Sequence, residues 1–142
     1  MRGFLKIVCA AAMLIWLPVA AQAAQLVAKI DVSKQVMTVS YRGEVLHSWA
    51  VSTGRKGFYT PRGAWRPQRM HTMWYSKKYD NAPMPYSVFF TGGYAVHGTN
   101  KVKALGRPAS HGCVRLQTRN AAQFYALVQQ VGSKNTRIVI TN

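Results

Sequence analysis

Acidic side chains are nearly missing from this sequence. Asp31, Glu44 and Asp80 are the only three in 142 residues, against 19 Lys and Arg, a formal net charge of +16. Glycosidases ordinarily work with a pair of carboxylates, and metal-dependent peptidases use one as a ligand or general base. The three acids stand away from the His- and Cys-containing motifs described below, so neither mechanism is readily built here. Cysteine is as scarce, with Cys9 and Cys113 alone, too few for a disulfide framework. Long apolar runs are limited to Ile7–Ala21, which is short for a bilayer span and interrupted by Pro18.

That apolar run has a different reading. Arg2 and Lys6 precede it, and Ala21-Gln22-Ala23 close it with small residues where a signal peptidase cuts. This is the three-part layout of a secretory signal, with cleavage expected after Ala23. Residues 1–23 are therefore expected to be a signal peptide and 24–142 a single domain, with Cys9 discarded and no membrane anchor remaining. Losing Arg2 and Lys6 lowers the charge from +16 to about +14. Charge alone permits nucleic acid as a partner, but export argues against it. Anionic material outside the membrane, such as wall carboxylates, wall polymers or lipid headgroups, suits an exported basic chain better. The expected location is the periplasm or the cell wall.

Period-two alternation dominates the exported part. "QLVAKIDVSKQVMTVSYRGEVLHSWAVSTG" predicts a three-stranded meander over 25–32, 36–41 and 45–52, with turns near Ser33-Lys34 and Arg42-Gly43. "GRKGFYTPRGAWRP" reads as a turn-rich connection. Further strands are predicted at Ser87–Thr91 and Tyr94–His97, with a loop around Asp80–Pro85. One helix is predicted in "TRNAAQFYALVQQVG", with Ala121, Phe124, Val128 and Val131 on one face, Thr118 or Asn120 as cap and Gly132 as stop. "NTRIVITN" closes the chain as a strand. The expected fold is mainly β, a sandwich or barrel-like pair of sheets with one docked C-terminal helix.

Cys113 then needs an explanation, because exported proteins tend to pair their cysteines or lack them. An inert core thiol, a disulfide-linked dimer, a metal ligand and a nucleophile are the four readings. Ser110, His111, Gly112 and Arg115 surround it, a setting unlike a core. Gly112 permits a sharp turn whose N–H groups can converge on an oxyanion, and a nearby Arg115 favours thiolate over thiol. A proton acceptor is also required. His97 ends an apolar strand, and His111 lies two residues from Cys113, so spacing leaves both open as the base. Zinc held by His97, His111 and Cys113 lacks a fourth ligand and a paired-ligand spacing. His47 reads as an ordinary sheet residue and Lys77-Lys78 as a solvated loop. His71, Met73, Trp74, Tyr75 and Tyr86 can line a groove or a lid, although aromatic clusters are more often core.

"HGTN" at 97–100 followed by "SHGCVRL" at 110–116 resembles the signature of the L,D-transpeptidase (YkuD-type) catalytic domain. "VSTGRKGFYTPRGAWRP" and "MWYSKKYDNAPMPYSVFFTGGYAVHGT" resemble its upstream and central portions, so the likeness runs from about Leu26 to Ile140. The resemblance implies two packed mixed sheets and a role for each motif residue. Cys113 would be the nucleophile that forms a thioester with a peptidoglycan stem peptide, and His97 the general acid/base oriented by the backbone carbonyl of Gly98. His111, Gly112 and Cys113 would supply N–H groups to the oxyanion. Ser110 matches the small hydroxyl position, and Arg115 would organise the site or bind a substrate carboxylate. No metal or cofactor is implied. The acceptor would be a second stem or a wall-anchored protein. A carboxypeptidase or amidase with the same Cys–His pair, and a non-catalytic basic wall-binding module, are the alternatives.

Overall fold

The computed structural model describes residues 23–142, together with Pro18. The expected signal peptide lies outside the described residues apart from Pro18 and Ala23. Among the described residues no helix is long and apolar enough to cross a membrane.

Two sheets form the domain. In the first, β1 (Leu26–Asp31), β2 (Val36–Tyr41) and β3 (Glu44–Ala50) make the expected antiparallel meander. The C-terminal strand β9 (Thr136–Thr141) returns to run parallel beside β1, and the short β4 (Gly63–Trp65) pairs with β9, giving the order β3-β2-β1-β9-β4. The second sheet has the order β5-β6-β7-β8, from Arg69–Ser76, Ala82–Thr91, Tyr94–Thr99 and Val114–Gln117. Its last pair, β7 and β8, is parallel.

Alternation along each strand sets what is buried. Leu26, Ala28 and Ile30 of β1 and Ile138 and Ile140 of β9 meet Val88 and Phe90 of β6, Val96 of β7, and Val114 and Leu116 of β8 in one core. Helix α1 (Thr118–Val131) adds Ala121, Phe124, Tyr125 and Val128 to that core. Val131, expected on the same face, is only partly buried. Gly132 stops the helix at φ +92° and donates its N–H to the Val128 carbonyl at 2.8 Å. The expected side-chain cap is not used: Gln117 is the N-cap without a side-chain bond, and Thr118 Oγ1 donates instead to the Thr99 carbonyl at 3.3 Å.

Three segments differ from the sequence reading. β4 and β5 were expected as connection and aromatic stretch, and β6 begins inside the expected Asp80–Pro85 loop. Pro83 and Pro85 are tolerated there because β7 pairs with β6 only from Val88 onward, so this half of β6 has β5 alone as neighbour. Tyr86 adopts φ +52° between the two halves. That inversion puts Met84 on the same side as Phe89, whereas Val88 and Phe90 face the core. One face of the second sheet is thus covered by the first sheet and the helix. The opposite face carries a separate small cluster of Met84, Phe89 and Ala95, against which Trp74 and Cys113 pack.

Candidate active site

That second face is where the chemistry-bearing residues meet. On β7, Ala95 and His97 point away from the core, while Val96 points into it. His97 is registered against Arg115 on β8, and Cys113 is the residue just before that strand. Neighbouring strands lie about 4.8 Å apart, so diagonal neighbours two residues off register, such as His97 and Cys113, stand roughly 8 Å apart at their backbones, within side-chain reach. Both open into one cleft of about 840 Å³, together with His111, Arg115, Trp74 and Tyr79.

His97 is buried and its Nδ1 lies 2.7 Å from the carbonyl oxygen of Gly98. A carbonyl only accepts, so Nδ1 carries the proton and Nε2 keeps its lone pair for the cleft. Gly98 is required on the other side of the strand, since a Cβ there would stand 2.9 Å from the Thr118 Cα. Burial pushes the His97 pKa down to about 4; the positive charge of Arg115 adds to this, and the Gly98 bond opposes it.

Cys113 Sγ accepts the Ala95 N–H at 3.4 Å and lies 3.8 Å from the Gly93 carbonyl oxygen. The sulfur is partly exposed to the cleft but closely surrounded by protein. Burial pushes its pKa up, and the Ala95 N–H and Arg115 only partly offset this. Arg115 acts in the expected direction, favouring the thiolate, but desolvation outweighs it. At rest the pair is a neutral thiol beside a neutral imidazole.

The loop that carries Cys113 is braced from inside. Ser110, itself buried, donates its hydroxyl to the Cys113 carbonyl at 2.6 Å and accepts the Gly112 N–H at 3.0 Å. The Gly112 N–H, which the sequence had offered to an oxyanion, is therefore already engaged by Ser110. Gly112 sits at φ +121°, and a Cβ on it would come within 2.6 Å of the Tyr94 ring. Thr60 pins the same residue, donating to the Gly112 carbonyl at 2.9 Å while accepting the Gly54 N–H at 2.8 Å. Arg115 exchanges both backbone hydrogen bonds with Ser52, and its Nη1 reaches the Ala109 carbonyl at 3.4 Å.

His111 faces the cleft from the loop rather than from the sheet. Its ring is stacked on Tyr79 at 4.0 Å and 8° and meets Phe58 edge-on at 4.8 Å. Desolvation lowers its pKa, followed by the charges of Arg55, Arg115, Lys101 and Lys78. Of the aromatic candidates, Trp74 lines the cleft, Tyr86 packs against the core, and Met73 and Tyr75 are exposed. Lys77 and Lys78 are exposed as expected, yet they sit at the cleft mouth with Tyr79. Thr60 and Tyr79 were missed as site residues, because neither carries a chemical signal in the sequence beyond lying in a motif-like segment.

The fold defines a class, a mainly β domain of two mixed sheets with one docked helix, and this one carries a free thiol and a histidine in one cleft. The model of the YkuD family, the L,D-transpeptidase catalytic domain, matches residues 25–140. The chain belongs to the L,D-transpeptidase catalytic domain family. It is 20% identical over 115 residues to the YkuD protein of Bacillus subtilis (strain 168), covering 78% of this chain and 63% of that one. Its fold is similar to an L,D-transpeptidase from Mycobacterium smegmatis, with a TM-score of 0.75, 26% identity, and 84% of this chain and 59% of that one covered. It is also similar to the L,D-transpeptidase LdtMt1 in complex with imipenem, with a TM-score of 0.73, 25% identity, and 82% and 59% covered. The chain spans less than two thirds of each of these relatives.

Proposed function

We propose that this chain is a peptidoglycan L,D-transpeptidase acting through a thioester on Cys113. Support rests on one observation: Cys113 and His97 share a sheet face and a cleft, with the His97 ring held by the Gly98 carbonyl so that Nε2 is free. Few acids are needed for such a site, because a backbone carbonyl does the orienting that a carboxylate does in other triads.

The chemistry follows from the protonation states. As Sγ attacks the carbonyl between the L-centre of the stem's diamino acid and the terminal D-residue, its proton passes to His97 Nε2. The oxyanion is met by the N–H groups of His111 and Cys113, held in place by Ser110 and Thr60. Collapse breaks the C–N bond, His97 returns the proton to the departing D-alanine amine, and a thioester remains. An acceptor amine then attacks the thioester, loses a proton to His97 and releases the sulfur, which takes that proton back. Arg115 steadies charge beside the sulfur or on a substrate carboxylate. A second stem makes a crosslink, a wall protein makes an attachment, and water makes a carboxypeptidase product. The secretory-signal pattern of residues 1–23 and the basic composition support the periplasm or wall as the place of work.

Incubation with a disaccharide tetrapeptide tests the reading by mass. The expected results are an adduct on Cys113, equal to the stem less D-alanine, and crosslinked product. Neither should form with Cys113→Ala. An adduct on Cys113→Ala, or wild-type protein that binds wall but never acylates, would refute it and leave the wall-binding module.

A further inference from the structure

A second guanidinium shares the cleft with Arg115. Arg69, at the start of β5, is registered against Phe89 on β6, and Phe89 against Ala95 on β7, whose N–H reaches Cys113 Sγ. Arg69 thus ends a row that leads straight across the sheet to the thiol. Its guanidinium lies 3.7 Å from the Phe89 ring centroid and 5.1 Å from that of Trp74. Those rings also pack in the cluster that Cys113 touches. The two rings hold the guanidinium by cation–π contact at the wall of the cleft, which Arg69 lines.

This cation has no acidic partner. The one salt bridge among the described residues joins Lys34 to Asp31, and the one acid along the cleft is Asp80, at the far mouth beside Lys78 and Tyr79. Arg115 differs, being half-buried with an N–H directed to the Ala109 carbonyl. A guanidinium fork held by two rings in the cleft, with no acidic partner among the described residues, is suited to a planar carboxylate.

We propose that Arg69 is a specificity residue that binds a free carboxylate at the side-chain end of the donor stem's diamino acid. The inference rests on the transpeptidase reading above and names the donor it selects. Distance favours that carboxylate over the one on the departing D-residue. With strands about 4.8 Å apart, the guanidinium over Phe89 lies one to two strand spacings from the thiol, roughly 5–10 Å. A carboxylate six bonds from the acylated carbonyl spans about 7–8 Å when extended, since each zig-zag bond advances the chain by about 1.25 Å, whereas that of the leaving residue is three bonds away. A lysine-type stem offers no carboxylate at that position, and an amidated one offers no charge.

Three synthetic tetrapeptide stems, identical except for a carboxylate, a carboxamide or a plain lysine at this position, test it. Acyl-enzyme formation on Cys113 is followed by intact mass across a concentration series. The wild-type protein should prefer the carboxylate stem by about 10-fold, the lower end for a charge-assisted pair because Arg69 is exposed. The preference should lie in the half-saturating concentration rather than in the limiting rate. Arg69→Gln should collapse it, and Arg69→Lys should restore part of it. Equal acylation of all three stems by the wild-type protein would overturn the inference without any variant and leave the transpeptidase reading intact. Failure of every stem to acylate would instead count against that reading. Loss of acylation by Arg69→Gln on all three stems alike, or dependence on the terminal D-residue's carboxylate instead, would also overturn it.

Discussion

His97 donates through Nδ1 to the carbonyl of the very next residue, Gly98, at 2.7 Å, and Gly98 is pressed on its other side against Thr118. The start of helix α1 therefore helps fix the ring that faces Cys113. Gly98→Ala would put a Cβ 2.9 Å from the Thr118 Cα and 3.1 Å from Pro85 Cγ, contacts relieved only by moving β7 or the helix. A shift of about 1 Å in a reacting group can cost on the order of 10²-fold in rate. Stem acylation should fall by that order, while alkylation of Cys113 by iodoacetamide changes far less. Wild-type acylation by Gly98→Ala would show that the carbonyl's position is unimportant.

The same bond and burial set the pH dependence. With His97 at about 4 and the Cys113 thiol raised, neither group is charged at neutral pH. Acylation should fall roughly tenfold per pH unit only once the pH drops below about 4, where the imidazole is protonated and no longer accepts the thiol proton. Alkylation of the free enzyme should rise mainly above the ordinary thiol range. A thiolate absorbance at pH 6 that disappears in Cys113→Ala would contradict the neutral pair.

The parts of this molecule that were legible in the sequence are those in which one face is apolar. β1, β2 and β9 alternate because one face is buried and the other, only partly buried, carries most of their polar residues, and α1 shows its stripe at Ala121, Phe124 and Val128. β5 and the start of β6 were not legible. Their aromatic residues divide between cleft (Trp74), solvent (Tyr75) and core (Tyr86), two prolines interrupt the pattern, and Tyr86 reverses it. The motifs around His97 and Cys113 were recognisable, but motif spacing does not reveal which N–H groups are already used. Only coordinates assign the Gly112 N–H to Ser110. Arg69 stayed hidden for a related reason, since nothing but the strand order brings it over Phe89 and into the cleft that Cys113 also lines.

Ser110 offers a separable test of loop bracing. Ser110→Ala removes the donor to the Cys113 carbonyl and the acceptor of the Gly112 N–H at a buried site. Leaving such groups unpaired costs about 1–3 kcal/mol each. The urea midpoint should fall accordingly, and acylation should weaken because the freed loop no longer aims its N–H groups. Unchanged stability would mean that water replaces the hydroxyl.

Wall retention should be electrostatic. With a net charge of +16 on the whole chain and one salt bridge among the described residues, most cations are available to a polyanion. Retention on isolated walls should drop steeply as salt rises and the Debye length shortens toward about 8 Å. Acylation by a soluble stem should depend on salt much less. Salt-independent retention would point to a built recognition site instead.

His97 should also leave a signature in folding stability. Its pKa is about 4 in the folded protein and near the ordinary 6.5 when unfolded. Between those values the unfolded chain binds a proton that the folded one does not, so stability rises with pH. The contribution is fully present above the unfolded value and is lost as pH falls toward 4, by about 3 kcal/mol in all. Below 4 both states are protonated and this slope ends. Urea denaturation at pH 7, 6, 5 and 4 should therefore show a decline that is markedly shallower in His97→Gln, where position 97 binds no proton in either state and only other groups such as His111 remain. Parallel declines in the two proteins would assign the acid sensitivity to other groups and remove His97 as its source.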